Sequence, residues 1–172
     1  YTTSHPKDFT DDLIAAHKYC KKLMPLIHLP VQSGSNKILA SMNRKHTVEE
    51  YLEVIEKLTE VRPGIKFSSD FIIGYPGETD KDFEETIELM NKIGFINSFS
   101  FMFSARPGTP SFKLAKVDSN KAKKRLIEFQ RIAENIKTNY RKKLIKKTTN
   151  VLFENKMKNG NKYFGRDEYF NS

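Results

Sequence analysis

Cysteine is nearly missing from this chain: Cys20 stands alone among 172 residues. One thiol excludes a disulfide framework, and it excludes a metal or iron–sulfur site assembled from several thiolates of this chain alone. Such sparse use of cysteine is expected of a reducing cytosol. Long apolar runs are missing as well. None approaches the roughly 18 residues that span a bilayer, and the opening YTTSHPKDFTDD has no signal-peptide core, so the sequence reads as neither membrane-spanning nor secreted. Internal repeats, low-complexity linkers and the GxSxG, HExxH and P-loop patterns are absent. His17 and His46 are isolated, with no metal-ligand spacing between them. What is there is 38% hydrophobic and 30% charged, with 13 Phe, which suits a folded domain and not a disordered chain. The first residue is Tyr1 and the last two fall in a strand-like stretch, so the chain reads as a fragment of a longer protein.

The net charge of +9 is unevenly placed. Residues 1–118 balance to −1, and residues 119–172 carry +10. A local positive field attracts polyanions and speeds encounter with them. Charge alone leaves open whether this is a polyanion-binding surface or a solvated Lys-rich helix.

Hydrophobic spacing predicts a helix over 10–24, with Leu13, Ile14, His17 and Cys20 on one face, stopped by Pro25. A buried strand over 26–31 runs into the polar loop 32–35. Thr47 with Glu50 forms a capping-box pattern that starts a helix ended by Pro63-Gly64. A strand over 65–73, the turn 74–79, a Thr79-capped helix to Ile93 and a stop at Gly94 follow. The next strand, 98–106, alternates: Phe99, Phe101 and Phe103 on one face, Ser98, Ser100, Ser104 and Arg106 on the other. Strands alternating with helices predict a parallel α/β sheet. The serine face, taken to point inward, favours part of a (β/α) barrel with a ligand cavity over a fully packed open sheet. A long basic helix over 119–146 carries the stripe Leu126, Phe129, Ile132, Ala133, Ile136, Tyr140 and Leu144. Period-two residues over 149–154, a turn at 158–161 and the stretch 163–166 then open a small β module.

In such barrels chemistry sits on the loops that follow the strands. Here those loops are His5-Pro6, 32–35, 74–79 and 104–110, each pairing Gly or Pro with polar groups. Asp70 lies within a strand that otherwise reads as buried, so it must be hydrogen-bonded or paired, either structurally or by a ligand. His28 reads as a satisfied core histidine. Arg44 and Arg106 follow strands and can meet a carboxylate or phosphate through two bonds, or form surface ion pairs.

Three segments, HLPVQSGS at 28–35, SDFIIGYPGET at 69–79 and FSARPGTP at 103–110, resemble the radical S-adenosylmethionine methylthiotransferases. The 103–110 version resembles the branch of that family acting on tRNA; the ribosomal-protein branch usually has an acidic loop there. The tail from Lys147 resembles the opening of a TRAM domain, a small RNA-binding β-barrel. The resemblance implies that residues 1–118 are the C-terminal part of a radical SAM partial TIM barrel, 119–146 a connecting helix, and 147–172 a truncated TRAM domain. It implies S-adenosylmethionine as cofactor, held by Gln32, Ser33, Asp70, Ile72 and Gly74, with Arg44 and Arg106 as substrate or cofactor contacts. Ile72 and Gly74 meet the superfamily pattern GxIxGxxE, which departs at Asp70 and at Glu78, one place late. Two [4Fe–4S] clusters are implied in the full-length enzyme, one to generate a radical and one to deliver sulfur, with their cysteines N-terminal to this chain. The implied partner is a tRNA anticodon arm, met through Arg141, Lys142, Lys143, Lys146 and Lys147, and methylthiolated at C2 of N6-isopentenyladenosine. A monomeric cytoplasmic enzyme is implied, with this piece inactive alone. Alternatives are a sister enzyme for threonylcarbamoyladenosine or a ribosomal protein, and a non-catalytic RNA-binding relic.

Overall fold

Three short strands, each followed by helix or loop, build one parallel sheet in the order β1 (Leu26–His28), β2 (Lys66–Ile73), β3 (Asn97–Met102). The computed structural model describes residues 5–158 and 160–172. Helix α1 (Asp11–Tyr19) precedes β1; α2 (Asn36–Ser41) and α3 (Val48–Val61) link β1 to β2; α4 (Asp80–Ile93) links β2 to β3. Helix α5 (Ser119–Lys142) follows, and β4 (Val151–Lys156) pairs antiparallel with β5 (Tyr163–Asp167).

Local chemistry fixes the helix ends. The Thr47 hydroxyl accepts from the Glu50 N–H at 3.2 Å while the Glu50 carboxylate accepts from the Thr47 N–H at 2.8 Å. Thr79 and Asp82 repeat this box at the start of α4, and Gly94 ends that helix in the left-handed region (φ 67°) that a side chain would strain. The Asp118 carboxylate caps α5 by accepting from the Lys121 N–H.

Several boundaries differ from expectation, among them the strands expected over 26–31 and 98–106, which end at His28 and Met102. Helix α1 ends at Tyr19, not Met24, and Cys20 is exposed. The Arg62 guanidinium donates to the carbonyls of Leu23 (2.7 Å) and Met24 (3.3 Å), which holds that stretch as a connection. Helix α2 was not expected, since six residues are too few to display a helical period. Helix α5 stops at Lys142, and the chain turns at 143–146 with Lys146 at φ 66°. The turn expected at 158–161 includes Asn159, outside the described residues.

One face of the sheet is packed. Phe67, Phe71 and Ile73 of β2 lie in a buried cluster with Tyr51, Ile55 and Leu58 of α3, Phe83, Leu89 and Met90 of α4, and Phe129 of α5. The Phe71 ring lies 4.7 Å from Phe129 and 5.6 Å from Phe95. Burying each such ring contributes about 1.5–3 kcal/mol.

The two faces of β3 are reversed relative to expectation. Register pairs Phe71 with Ser100 and Asp70 with Phe99. Residues in register on neighbouring strands share a face, so Ser98 and Ser100 look toward α5, where their small side chains fit beside Gln130 and Ala133. Phe99 and Phe101 lie on the concave face with Asp70 and Ile72, more than half exposed. Period-two alternation identifies two faces; only the partner strand says which is inward.

Candidate cofactor site on the concave face

The strand ends open onto one depression. A cavity of about 540 Å³ is walled by Gln32, Asp70, Ile72, Phe101 and Arg106, and a second of about 470 Å³ by His5, Arg44, Ile72 and Tyr75. The two share Ile72, Thr109 and Ser111. Of the predicted residues, Gln32, Asp70, Ile72, Arg44 and Arg106 are thus brought together at the C-terminal ends of the strands, where barrel chemistry sits.

Gln32 is held at φ 80°, an uncommon conformation for a residue with a side chain. Its N–H donates to the Asp70 carbonyl (2.9 Å) and its carbonyl accepts from the Ile72 N–H (3.0 Å), so β2 over-determines the strained backbone. Backbone strain of this kind clusters at ligand clamps. Arg44 is half-buried; burial lowers its pKa and the Asp70 carboxylate opposes that effect. Asp70 itself is less buried than expected, 29% exposed, with one carboxylate oxygen 3.4 Å from His28 Nε2. His28 is not a core histidine: it lies on the same face, its Nδ1 2.9 Å from the Ser68 hydroxyl and its ring edge-on to Phe99. Behind the wall His46, its ring 5.3 Å from that of His5, is pulled down to about 4, first by burial and then by His5 and Arg44.

Ser33 and Gly74 point elsewhere. Ser33 is buried with its hydroxyl 3.3 Å from the Thr86 hydroxyl of α4. The Gly74 N–H donates to both Glu78 carboxylate oxygens, at 3.1 and 3.2 Å, and a Cβ there would lie 2.7 Å from the Ala122 methyl of α5. Glu78, although one place late for the superfamily pattern, therefore still reaches its glycine. Burial raises the Glu78 pKa, against the Gly74 N–H and Arg125, which lower it. Sequence reasoning missed Arg125, which lies outside the apolar stripe read for the basic helix; it is buried and paired with Glu78. Its position three residues after Ala122 and four before Phe129, both on the packed side, was the available signal. Arg141, Lys142, Lys143, Lys146 and Lys147 are exposed at the far end of α5 and the turn beyond.

The donor set fits an amino-acid nucleoside. Two guanidiniums suit a carboxylate, Asp70 suits an ammonium or paired hydroxyls, and Ile72 supplies an apolar wall for a base. The same residues do not fit an iron–sulfur cluster: among the described residues no three His, Cys, Asp or Glu side chains converge, and Cys20 is the chain's sole thiol.

The sequence pattern of the Radical SAM superfamily matches residues 1–90, more than half of the chain. The chain belongs to the Radical SAM superfamily. Its relatives sharpen that assignment. It is 60% identical over 172 residues to a protein of Pelagibacter ubique named tRNA-2-methylthio-N(6)-dimethylallyladenosine synthase, covering all of this chain and 39% of that one. Proteins of the same name from the Wolbachia of Brugia malayi and from Paracoccus denitrificans are 48% and 45% identical, again over all of this chain and 39% of theirs. The chain thus spans about two fifths of the curated relatives it matches. Among solved structures, coproporphyrinogen III oxidase of Escherichia coli, described as a radical SAM enzyme, superposes with a TM-score of 0.64 at 14% identity, over 78% of this chain and 31% of that one. A radical SAM methyltransferase of Sphaerobacter thermophilus superposes at 0.50, with 11% identity, over 78% and 37%. At such identities the likeness concerns fold alone, and it agrees with the expected barrel architecture.

Proposed function

We propose that this chain is the C-terminal part of a methylthiotransferase that acts on N6-dimethylallyladenosine beside the anticodon of tRNA, adding a methylthio group at C2. The observation that carries this reading is the 60% identity, over every residue of the chain, to a relative bearing that name. Residues 5–118 supply the C-terminal part of the radical SAM barrel, 119–146 the connecting segment and 147–172 the opening of a TRAM module. The enzyme works in the cytoplasm as a monomer.

Bound S-adenosylmethionine supplies both a methyl group and, with a cluster ligated outside this chain, radical chemistry. The residues of this chain bind and orient it. Arg44 and Arg106 take the carboxylate, Asp70 takes hydroxyls or the ammonium, and Ile72 packs on the base. Gln32, its backbone locked to β2, lines the cavity. Fixing a cofactor in this way converts binding energy into orientation at the reacting atoms. The basic residues from Arg141 to Lys147 meet tRNA phosphates, which supply affinity without choosing the base.

The test is a hybrid gene in which residues 1–172 replace the matching segment of the Pelagibacter ubique relative, expressed in cells lacking this modification. Digested tRNA then contains 2-methylthio-N6-dimethylallyladenosine. If a soluble hybrid leaves only N6-dimethylallyladenosine, the reading fails; methylthiolation of threonylcarbamoyladenosine instead would assign the sister activity.

A further inference from the structure

We infer that Arg125 is a positioning residue for the cofactor cavity: acting through Glu78, it fixes the Ile73–Gly74 peptide, which lies between the cavity residues Ile72 and Tyr75. This rests on the cofactor reading above. Ile72 and Tyr75 both wall the depression, and the buried Ile73 and Gly74 connect them at the end of β2. No side chain at 74 can hold that peptide, so its anchoring comes from outside. Both oxygens of Glu78 take the Gly74 N–H. Arg125 Nη1 in turn donates to Glu78 Oε1 at 2.7 Å and to the Glu78 carbonyl at 3.1 Å, while Nη2 donates to Asp80 Oδ1 at 2.7 Å. The Arg125 and Glu78 side chains are 5% and 3% exposed, and the guanidinium lies over the Phe83 ring.

A buried ion pair is weak evidence for stability, because apolar residues of equal volume are often as stabilising. What the charged pair adds is direction: a planar fork with fixed bonds leaves the loop one arrangement. The opposite side of Gly74 is closed by Ala122 of the same helix. One turn of α5 therefore grips the loop from two sides, by contact at Ala122 and by hydrogen bonds from Arg125. A grip built for orientation and aimed at the peptide between two cavity residues is more than a helix anchor.

The experiment uses the full-length enzyme to which this chain is proposed to belong and follows S-adenosylhomocysteine binding by calorimetry, in the cold and far below the melting transition. Arg125→Met, folded by circular dichroism, is expected to bind about ten-fold more weakly than the parent, as loss of residues supporting a site typically does. Arg125→Lys keeps one charged donor and loses the fork; it covers the case in which the methionine variant does not fold, and it is expected to recover part of the affinity. Parent-like affinity in a folded variant, with only the melting temperature lowered, would overturn the inference and make Arg125 a structural anchor. Absence of binding by the parent itself would instead sink the cofactor reading on which the inference stands.

Discussion

Residues up to Phe129 and residues beyond it are built on different terms. Among the described residues, the largest fully buried side chains all lie in the first region, from Ile27 to Phe129. In the second, Leu152 and Phe153 are about 70% exposed, Tyr163 and Phe170 more than half, and the Asp167 carboxylate accepts from its own neighbours Tyr169 and Asn171. Charge is uneven across the same boundary, +2 up to Phe129 and +7 beyond it. The first region is held by a buried core and carries a concave polar site. The second leans on the first through Ile132, Ala133 and Ile136 of α5 and a Tyr169 hydroxyl that donates to the Gly64 carbonyl, and beyond them it presents cations and aromatic rings. Helix α5 belongs to both, since its first three turns bury Ala122, Arg125 and Phe129 while its last turn carries Arg141 and Lys142.

The contrast breaks most severely at the packing end. Phe129→Ala removes the ring that lies on Phe71 and is expected to cost about 3–5 kcal/mol, read as a lower midpoint in urea unfolding; a loss below 1 kcal/mol would mean α5 is not part of the core.

Next comes Gly34→Ala. A Cβ at Gly34 would lie 2.5 Å from the Glu85 carbonyl oxygen and the Thr86 Cα, both backbone atoms. Overpacking of this kind costs about 1–3 kcal/mol, and an unchanged midpoint would show that the 32–35 loop is free to move off α4.

Asp82→Asn is expected to cost about 1.5–3 kcal/mol at neutral pH, because the carboxylate takes bonds from Ser35 (2.7 Å), Lys37 (2.8 Å) and Thr79. Burial works against its charge, but those donors win and hold the pKa well below the ordinary range. A depressed folded pKa contributes stability above the unfolded value, near 4, and loses it as pH falls toward the folded one. The gap between parent and variant should therefore narrow below about pH 4; a gap constant with pH would contradict the assignment.

The smallest effect belongs to the exposed region. Leu152→Ser should change stability by no more than about 0.5 kcal/mol, measured as the same unfolding midpoint. A larger loss would reveal packing on that face of the hairpin.

Much of this division was legible in the sequence, for physical reasons. Capping residues act within four positions, so Thr47, Thr79 and Gly94 marked their helix ends correctly. The loop motifs led to Gln32, Asp70, Ile72, Arg44 and Arg106, which do converge. What was hidden depends on partners distant in sequence. The inward face of β3 is set by its register with β2, the end of α1 by Arg62, and the burial of Arg125 by Glu78, 47 residues away. Ser33 and Gly74 carry the motif but serve the loop's own backbone and packing, a distinction that spacing cannot express.

The division of labour is tested most directly by titrating an anticodon stem-loop into the full-length enzyme and into a variant with Arg141, Lys142, Lys143, Lys146 and Lys147 replaced by Gln, across a salt series. Each lost phosphate contact removes about 0.7–0.9 from the slope of log affinity against log salt. The account predicts a shallower slope and weaker RNA binding in the variant, with S-adenosylhomocysteine affinity unchanged. Equal slopes and equal RNA affinities would contradict it and return these cations to the role of a solvated helix end.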